Sequence, residues 1–324
     1  MRYIIVGGAG FLGEYVVDLI SKKSTGIQSE IIILDTLKPK KLPNQSKFFC
    51  VDIAKKIDFE FLSDDNVIHL AAKQYHLKPP RKNRKEYFFD TNVSGTKNIL
   101  EAMEKRGCNK MIYFSTDMVY GKPQYLPIDS HHPKNPFGDY GKSKFESEKL
   151  CEEYRKKGFN ITIFRPRMIV GKGRFGILIK LFKLMDMGLP IPMIGSGNNC
   201  YQMVSVLDCA NAIYLALQKG IPNAEFNLGS KNPPKVKDLL RKVILQTGSK
   251  SLLIPTYGRF VKFCLGFLGF LGLEIMYKEQ YEIADEEYIV DITETQNILG
   301  WEPLQEDGDM LLEAYDEYKT SKEK

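Results

Sequence analysis

The chain has 324 residues, 43% of them hydrophobic and 27% charged, and carries a net charge of +6. These proportions exclude extensive disorder and fit one large domain or two modest ones, either able to bury a full core. The positive excess is spread over many lysines; it points to no nucleic-acid partner but would welcome an anionic small molecule near a basic cluster.

Strand-like apolar runs fall at 2–6, 30–34, 47–51, 66–70, 110–115 and 160–164, with amphipathic helical patterns at 11–23, 92–106 and 142–157. The alternation predicts an α/β fold, a doubly wound parallel sheet of the Rossmann type with its ligand at the carboxyl ends of the strands. Glycines and prolines then punctuate 166–203. A strand at Met203–Val206, a helix at Cys209–Gln218 and a strand at Glu225–Leu228 are expected to rejoin the sheet. The expected division is a dinucleotide-binding domain over 1–168, completed by about 204–232. A smaller C-terminal substrate-binding lobe takes about 169–203 and 233–320. The run Phe260–Leu273, FVKFCLGFLGFLGL, is shorter than the roughly 20 residues of a membrane-spanning helix and includes Lys262. A buried or groove-forming helix is expected there, with peripheral membrane contact as the alternative.

The six cysteines, at 50, 108, 151, 200, 209 and 264, show no C-x-x-C spacing, and the four histidines show no metal-ligand spacing. Reduced thiols in a cytoplasmic protein, with no metal site, are the expectation. No signal peptide is expected, because Tyr3-Ile4-Ile5-Val6 runs straight into glycines as a buried strand would.

The densest chemistry lies in Gly7-Gly8-Ala9-Gly10-Phe11-Leu12-Gly13, a glycine turn between a strand and a helix. Glycines there allow a tight turn, a close approach to a pyrophosphate and close helix–sheet packing, while the helix N-terminus offers free N–H groups. Asp35, 22 residues beyond Gly13, stands where a carboxylate accepts from an adenosine ribose and repels a 2′-phosphate. NAD is therefore the expected cofactor, with NADP kept open by Lys38, Lys40 and Lys41. Asp52 and Ile53 are candidate adenine contacts, with a simple turn aspartate the competing reading. Tyr140 and Lys144 share one helical face. A lysine ammonium beside a tyrosine favours the phenolate, which could then remove a hydroxyl proton. Ser115 and Thr116, at a strand end, are candidates to hydrogen-bond the reacting oxygen.

With these residues assembled, the chain resembles the extended short-chain dehydrogenases/reductases, in their nucleotide-sugar epimerase/dehydratase branch. Besides 7–13 and 140–144, the likeness rests on His69-Leu70-Ala71-Ala72, Asn92-Val93-Ser94-Gly95-Thr96 and Phe114-Ser115-Thr116-Asp117-Met118-Val119-Tyr120-Gly121. Arg165-Pro166, Val204-Ser205-Val206-Leu207-Asp208 and Leu299-Gly300-Trp301-Glu302-Pro303 extend it over nearly the whole chain. The resemblance implies a catalytic set of Thr116, Tyr140 and Lys144, with Lys144 also on the nicotinamide ribose. It implies a cofactor cleft lined by Leu70, Ala71 and Ala72 and supported by Asn92, and a homodimer through the helices after 92 and 140.

The departures are as informative. Dehydratases of this branch carry Asp-Glu after the threonine; here Asp117-Met118 stands there, and methionine cannot take a proton. Met168 occupies a place often held by a phosphate-contacting asparagine, and Cys200-Tyr201 one that often supplies a diphosphate-clamping arginine. Arg167, Lys172 and Arg174 are candidate replacements, as is the basic loop from Lys78 to Lys85 with Arg81 and Arg84. The expected activity is NAD-dependent redox chemistry on a sugar hydroxyl, as a nucleotide-sugar 4-epimerase or a related dehydrogenase/reductase. A hydroxysteroid-like or lipid-linked-sugar dehydrogenase is the alternative, and a non-catalytic cofactor-sensing protein is a third reading.

Overall fold

The computed structural model describes residues 1–23 and 29–322. From the N-terminus come β1 (Arg2–Val6), α1 (Phe11–Lys23), β2 (Glu30–Asp35), β3 (Ser46–Cys50) and β4 (Asn66–His69). Then follow α2 (Arg84–Phe89), a π-helical turn over Asp90–Ser94, α3 (Gly95–Glu104), β5 (Lys110–Phe114), α4 (Asp139–Lys156) and β6 (Asn160–Pro166). The second half contains β7 (Met168–Val170), α5 (Leu178–Asp186), β8 (Ile191–Met193), β9 (Met203–Ser205), α6 (Val206–Gln218) and β10 (Glu225–Leu228). It ends with α7 (Val236–Gln246), β11 (Leu253–Pro255), α8 (Gly258–Phe270), α9 (Lys278–Tyr281), α10 (Thr293–Leu299) and α11 (Asp307–Lys322).

Seven strands form one sheet in the order β10-β6-β5-β4-β1-β2-β3, and every pairing in it is parallel. The fold is therefore the expected α/β one. Strands buried on both faces must be apolar at consecutive positions, and β1 shows how this divides. Ile5 packs with Ile33, Ile68 and Ile112 beneath α1 and α6, whereas Ile4 packs with Ile32, Val67 and Met111 beneath α3. The chain order reverses between β1 and β4, which opens a crevice at their carboxyl ends.

Two short parallel ladders, β7–β9 and β8–β11, lie outside that sheet. A separate apolar cluster joins Phe182, Met185, Leu239, Val243 and Tyr315. The residues after 287 do not all join that cluster. Tyr288, Val290, Ile292, Leu299 and Trp301 pack into the core beneath α1 and α6. The fully buried Trp301 donates its indole N–H to the Asp208 carbonyl at 2.9 Å.

The segment 260–273 departs from the buried helix that was one expectation for it. It forms α8 and the turn after it, but of the helix only Gly258 is buried. Apolar count alone does not say which side of a helix meets the protein.

Candidate active site

The glycine turn closes on the crevice between β1 and β4. Gly7 has φ +85°, and a Cβ there would stand 2.5 Å from the Ala71 nitrogen; at Gly13 it would stand 2.6 Å from Gly8 Cα. No other residue fits either position without moving backbone. The Leu70 and Ala71 N–H groups both donate to the Val6 carbonyl, at 2.8 and 3.0 Å, so these cleft residues are fixed against the turn. Phe11 and Leu12 open α1, with Phe11 packed against Gly171 and Gly173. Asp35 accepts from the Ala9 N–H at 3.0 Å and from the Leu37 N–H at 3.1 Å. Its carboxylate thus sits on the glycine turn, where a ribose hydroxyl would meet it. The cradle left by Gly7, Gly10 and Gly13 fits a dinucleotide.

Asp52 and Ile53 have local roles. The Asp52 carboxylate accepts from the Ala54 N–H at 3.1 Å and pairs with Lys55, as a turn aspartate does. Ile53 is buried against Gly95. Asn92, buried in the π-helical turn, donates to Ser143 Oγ at 2.9 Å and brackets the Lys73 backbone, accepting its N–H at 2.8 Å. It fastens the β4 end to α4, which carries Tyr140 and Lys144.

Tyr140 lies in the first turn of α4 and is 5% exposed. Its hydroxyl accepts from Gln74 Nε2 at 3.2 Å, and its ring meets Tyr75 and Phe88 at centroid distances of 5.6 and 5.8 Å. Burial pushes its pKa up to about 12, against the opposing pull of the Arg174 charge and of the hydrogen bond from Gln74. Lys144, fully buried, has its ammonium 4.2 Å from the Tyr113 ring centroid. Burial brings it down to about 7, offset in part by Cys151 and Glu148. In the chain alone, burial thus disfavours the charged form of both side chains. Thr116 Oγ1 accepts from the Met118 N–H at 3.3 Å and donates to Asp117 Oδ1 at 3.1 Å. The neighbouring Ser115 Oγ is buried with no hydrogen-bond partner among the described residues.

Asp117 is committed elsewhere. Its other oxygen pairs with Arg167, and both side chains are buried. Arg167 lies between the rings of Tyr201 and Tyr288, 4.8 and 4.1 Å from their centroids. Its Nε and Nη2 have no partner among the described residues. Arg174 donates to Gln74 at 2.5 Å and contacts His76 Nδ1 at 2.8 Å, which brings its charge to the Tyr140 hydroxyl. The remaining candidates are less central. Met168 packs on the apolar cluster of Phe182 and Met185, and Lys172 is exposed, its carbonyl accepting from Tyr15. Cys200 donates its N–H to Glu287 at 3.0 Å. Arg84 is occupied by both oxygens of Glu274, each at 2.8 Å.

Three side chains absent from the sequence-based set line this region: Gln74, Tyr75 and Glu279. Glu279, 8% exposed, borders a small cavity with Met118, Gly138 and Tyr288, and its charge reinforces the burial that raises Tyr75. Gln74 follows the motif His69–Ala72 and was within reach of a sequence argument. Nothing local in the sequence marks Glu279.

If Asp35 selects the cofactor, Asp35→Ala should weaken NAD binding and narrow its advantage over NADP, read as the ratio of the two dissociation constants. An unchanged ratio would remove Asp35 from that role.

Residues 3–229 match the family described as the NAD dependent epimerase/dehydratase family. A putative UDP-glucose 4-epimerase of Methanocaldococcus jannaschii is 32% identical over 314 residues, 93% of this chain and 92% of the relative. An N-acetyl-alpha-D-glucosaminyl-diphospho-ditrans,octacis-undecaprenol 4-epimerase of Escherichia coli O157:H7 is 29% identical over 280 residues, 85% and 80% of the two chains. The solved structure of UDP-glucuronic acid 4-epimerase from Bacillus cereus with NAD superposes with a TM-score of 0.78 at 22% identity, covering 99% of each chain. Fold, glycine cradle and family match agree: the chain belongs to the NAD-dependent epimerase/dehydratase family, enzymes of the extended short-chain dehydrogenase/reductase type.

Proposed function

We propose that this protein is a 4-epimerase of a diphosphate-linked sugar. The observation that carries the reading is the pairing of a buried Tyr140, held by Gln74 and next to Thr116, with a 117–118 position that offers no free acid or base. Asp117 is locked to Arg167 and Met118 is apolar, so the proton chemistry falls to Tyr140. NAD, when bound, would supply the acceptor for the C4 hydride, which returns to the opposite face of the keto sugar, and a positive ring that favours the phenolate. Tyr140 then takes the proton of the C4 hydroxyl and returns it to the oxygen of the opposite epimer, while Thr116 orients that oxygen. Lys144, beneath the helix face, positions Tyr140 and the ribose. The unpartnered Nε and Nη2 of Arg167, together with Arg174, are the donors we assign to the oxygen-rich substrate. We also infer a homodimer through α3 and α4.

The redox balance of turnover tests this reading. Epimerisation leaves the amount of reduced nicotinamide unchanged as substrate is consumed, whereas one-way oxidation or reduction of the sugar would change it in step with product and overturn the reading.

A second reading keeps the same chemistry and places the diphosphate on a lipid rather than a nucleoside. It is favoured by the exposed phenylalanines of α8 and by the similarity to the Escherichia coli relative whose named substrate is an undecaprenol diphosphate.

A further inference from the structure

We propose that α8 and the turn after it seat this protein on an anionic lipid bilayer, the helix lying in the plane of the interface close to the active-site mouth. The proposal rests on the reading of Tyr140 as the catalytic group only for what the seat serves, not for its evidence.

Phe260, Phe263, Phe267 and Phe270 recur at i, i+3, i+7 and i+10, which puts them on one face of α8. They are 63, 70, 54 and 85% exposed, and Leu271 and Leu273 continue the strip at 58 and 62%. Tyr257, 70% exposed, stands at the start of the helix. The opposite side is held to the protein: Lys262 pairs with Asp285 at 2.5 Å and donates to the Glu282 carbonyl at 2.7 Å. A contiguous aromatic face of this kind is expensive to leave in water. No helix among the described residues is long and apolar enough to cross a membrane, so an in-plane seat is what this helix can offer a bilayer.

Charge identifies the occupant. Arg81 packs against Gly272, and Lys180 donates to the Ile275 carbonyl, so two cations border the strip. Lys78, Lys82, Arg259 and Lys278 are exposed on the same segments. None of these six forms an ion pair among the described residues. An aromatic face bordered by Arg81 and Lys180, with further unpaired cations exposed on the adjoining segments, is complementary to acyl chains beneath anionic headgroups. A second copy of this chain would bring the same cations against each other.

The seat is joined to the active site. Arg84 grips Glu274 and lies 5.4 Å from the Tyr277 ring centroid; Tyr277 stacks on Tyr75 at 4.5 Å, and Tyr75 meets Tyr140. A sugar on a lipid diphosphate would thus reach Tyr140 from the bilayer without leaving it.

The test is flotation of the full chain with vesicles of phosphatidylcholine alone and of phosphatidylcholine mixed with phosphatidylglycerol. The protein should float with the mixed vesicles and less so at high salt. Phe263→Ser combined with Phe267→Ser should lower the bound fraction constant by about tenfold or more, because two exposed rings no longer enter the interface. Both positions are exposed, so melting temperature and NAD content should stay unchanged. Equal flotation of variant and wild type, or none with either vesicle, would overturn the proposal. So would a wild-type assembly in sedimentation that the same substitutions dissociate, since a second copy would then cover the face. Turnover in the same samples separates the two readings. Wild-type protein that turns over sugar yet floats with neither vesicle counts against the seat; wild-type protein that floats but shows no turnover counts against the 4-epimerase reading and supports the seat.

Discussion

Glu148→Ala should destabilise the protein by about 3–5 kcal/mol, the range for breaking a buried ion pair on one side only. Arg165 and Glu148 are both fully buried and joined by two parallel bonds of 3.0 Å, Nε to Oε1 and Nη2 to Oε2. The remaining guanidinium nitrogen donates to the Tyr120 hydroxyl at 3.0 Å and to the Ser130 carbonyl at 2.9 Å. Tyr120 donates in turn to Asn227 at 2.7 Å, so α4, β6, β10 and the loop after β5 meet at one charge. Removing the carboxylate leaves that guanidinium buried without its counter-ion. The melting temperature should fall by about 10 °C. Replacing both partners with apolar residues, as in Arg165→Met with Glu148→Leu, should cost far less, because no charge is then stranded. Equal losses from the single and double changes would mean that packing, not charge, holds this junction.

Tyr140→Phe should lower kcat by about a thousandfold, within the range for removing a general acid–base group, and leave the bound NAD content nearly unchanged. The substitution keeps the ring that packs on Tyr75 and Phe88 and deletes only the oxygen that accepts from Gln74. Its neighbours therefore keep their places, and the loss reports the proton transfer alone. A comparable fall in NAD content would show that the hydroxyl holds the site together rather than working in it. Turnover near the wild-type rate would assign the proton to another group, and Glu279 is the buried carboxylate beside Met118 that would be examined first.

The parts legible in the sequence are those written in short-range pattern. Ile4 and Ile5 lie on opposite faces of one strand, so an unbroken apolar run announces a strand buried on both sides. Gly7, Gly10 and Gly13 announce a turn that tolerates no Cβ, and the spacing of Tyr140 and Lys144 announces a shared helix face. What remained hidden depends on partners far apart along the chain. Asp117 reads as a free carboxylate until Arg167, fifty residues on, is seen bonded to it. Arg84 reads as a candidate phosphate ligand until Glu274 is found on it. Glu279 enters the site from α9 with no motif around it, and the exposure of α8 is a property of what does not pack against the helix. Composition shows how apolar that segment is and leaves its surroundings open.

The most direct measurement is the configuration at C4, followed by proton NMR, when wild-type protein purified without added dinucleotide is mixed with each member of an epimeric pair of diphosphate-linked hexoses. The account predicts that, for the pair this enzyme accepts, both starting epimers converge on the same mixture with no net change in reduced nicotinamide. Conversion that runs to a dehydrated keto-deoxy sugar, or that stops when one equivalent of cofactor is reduced, would contradict it.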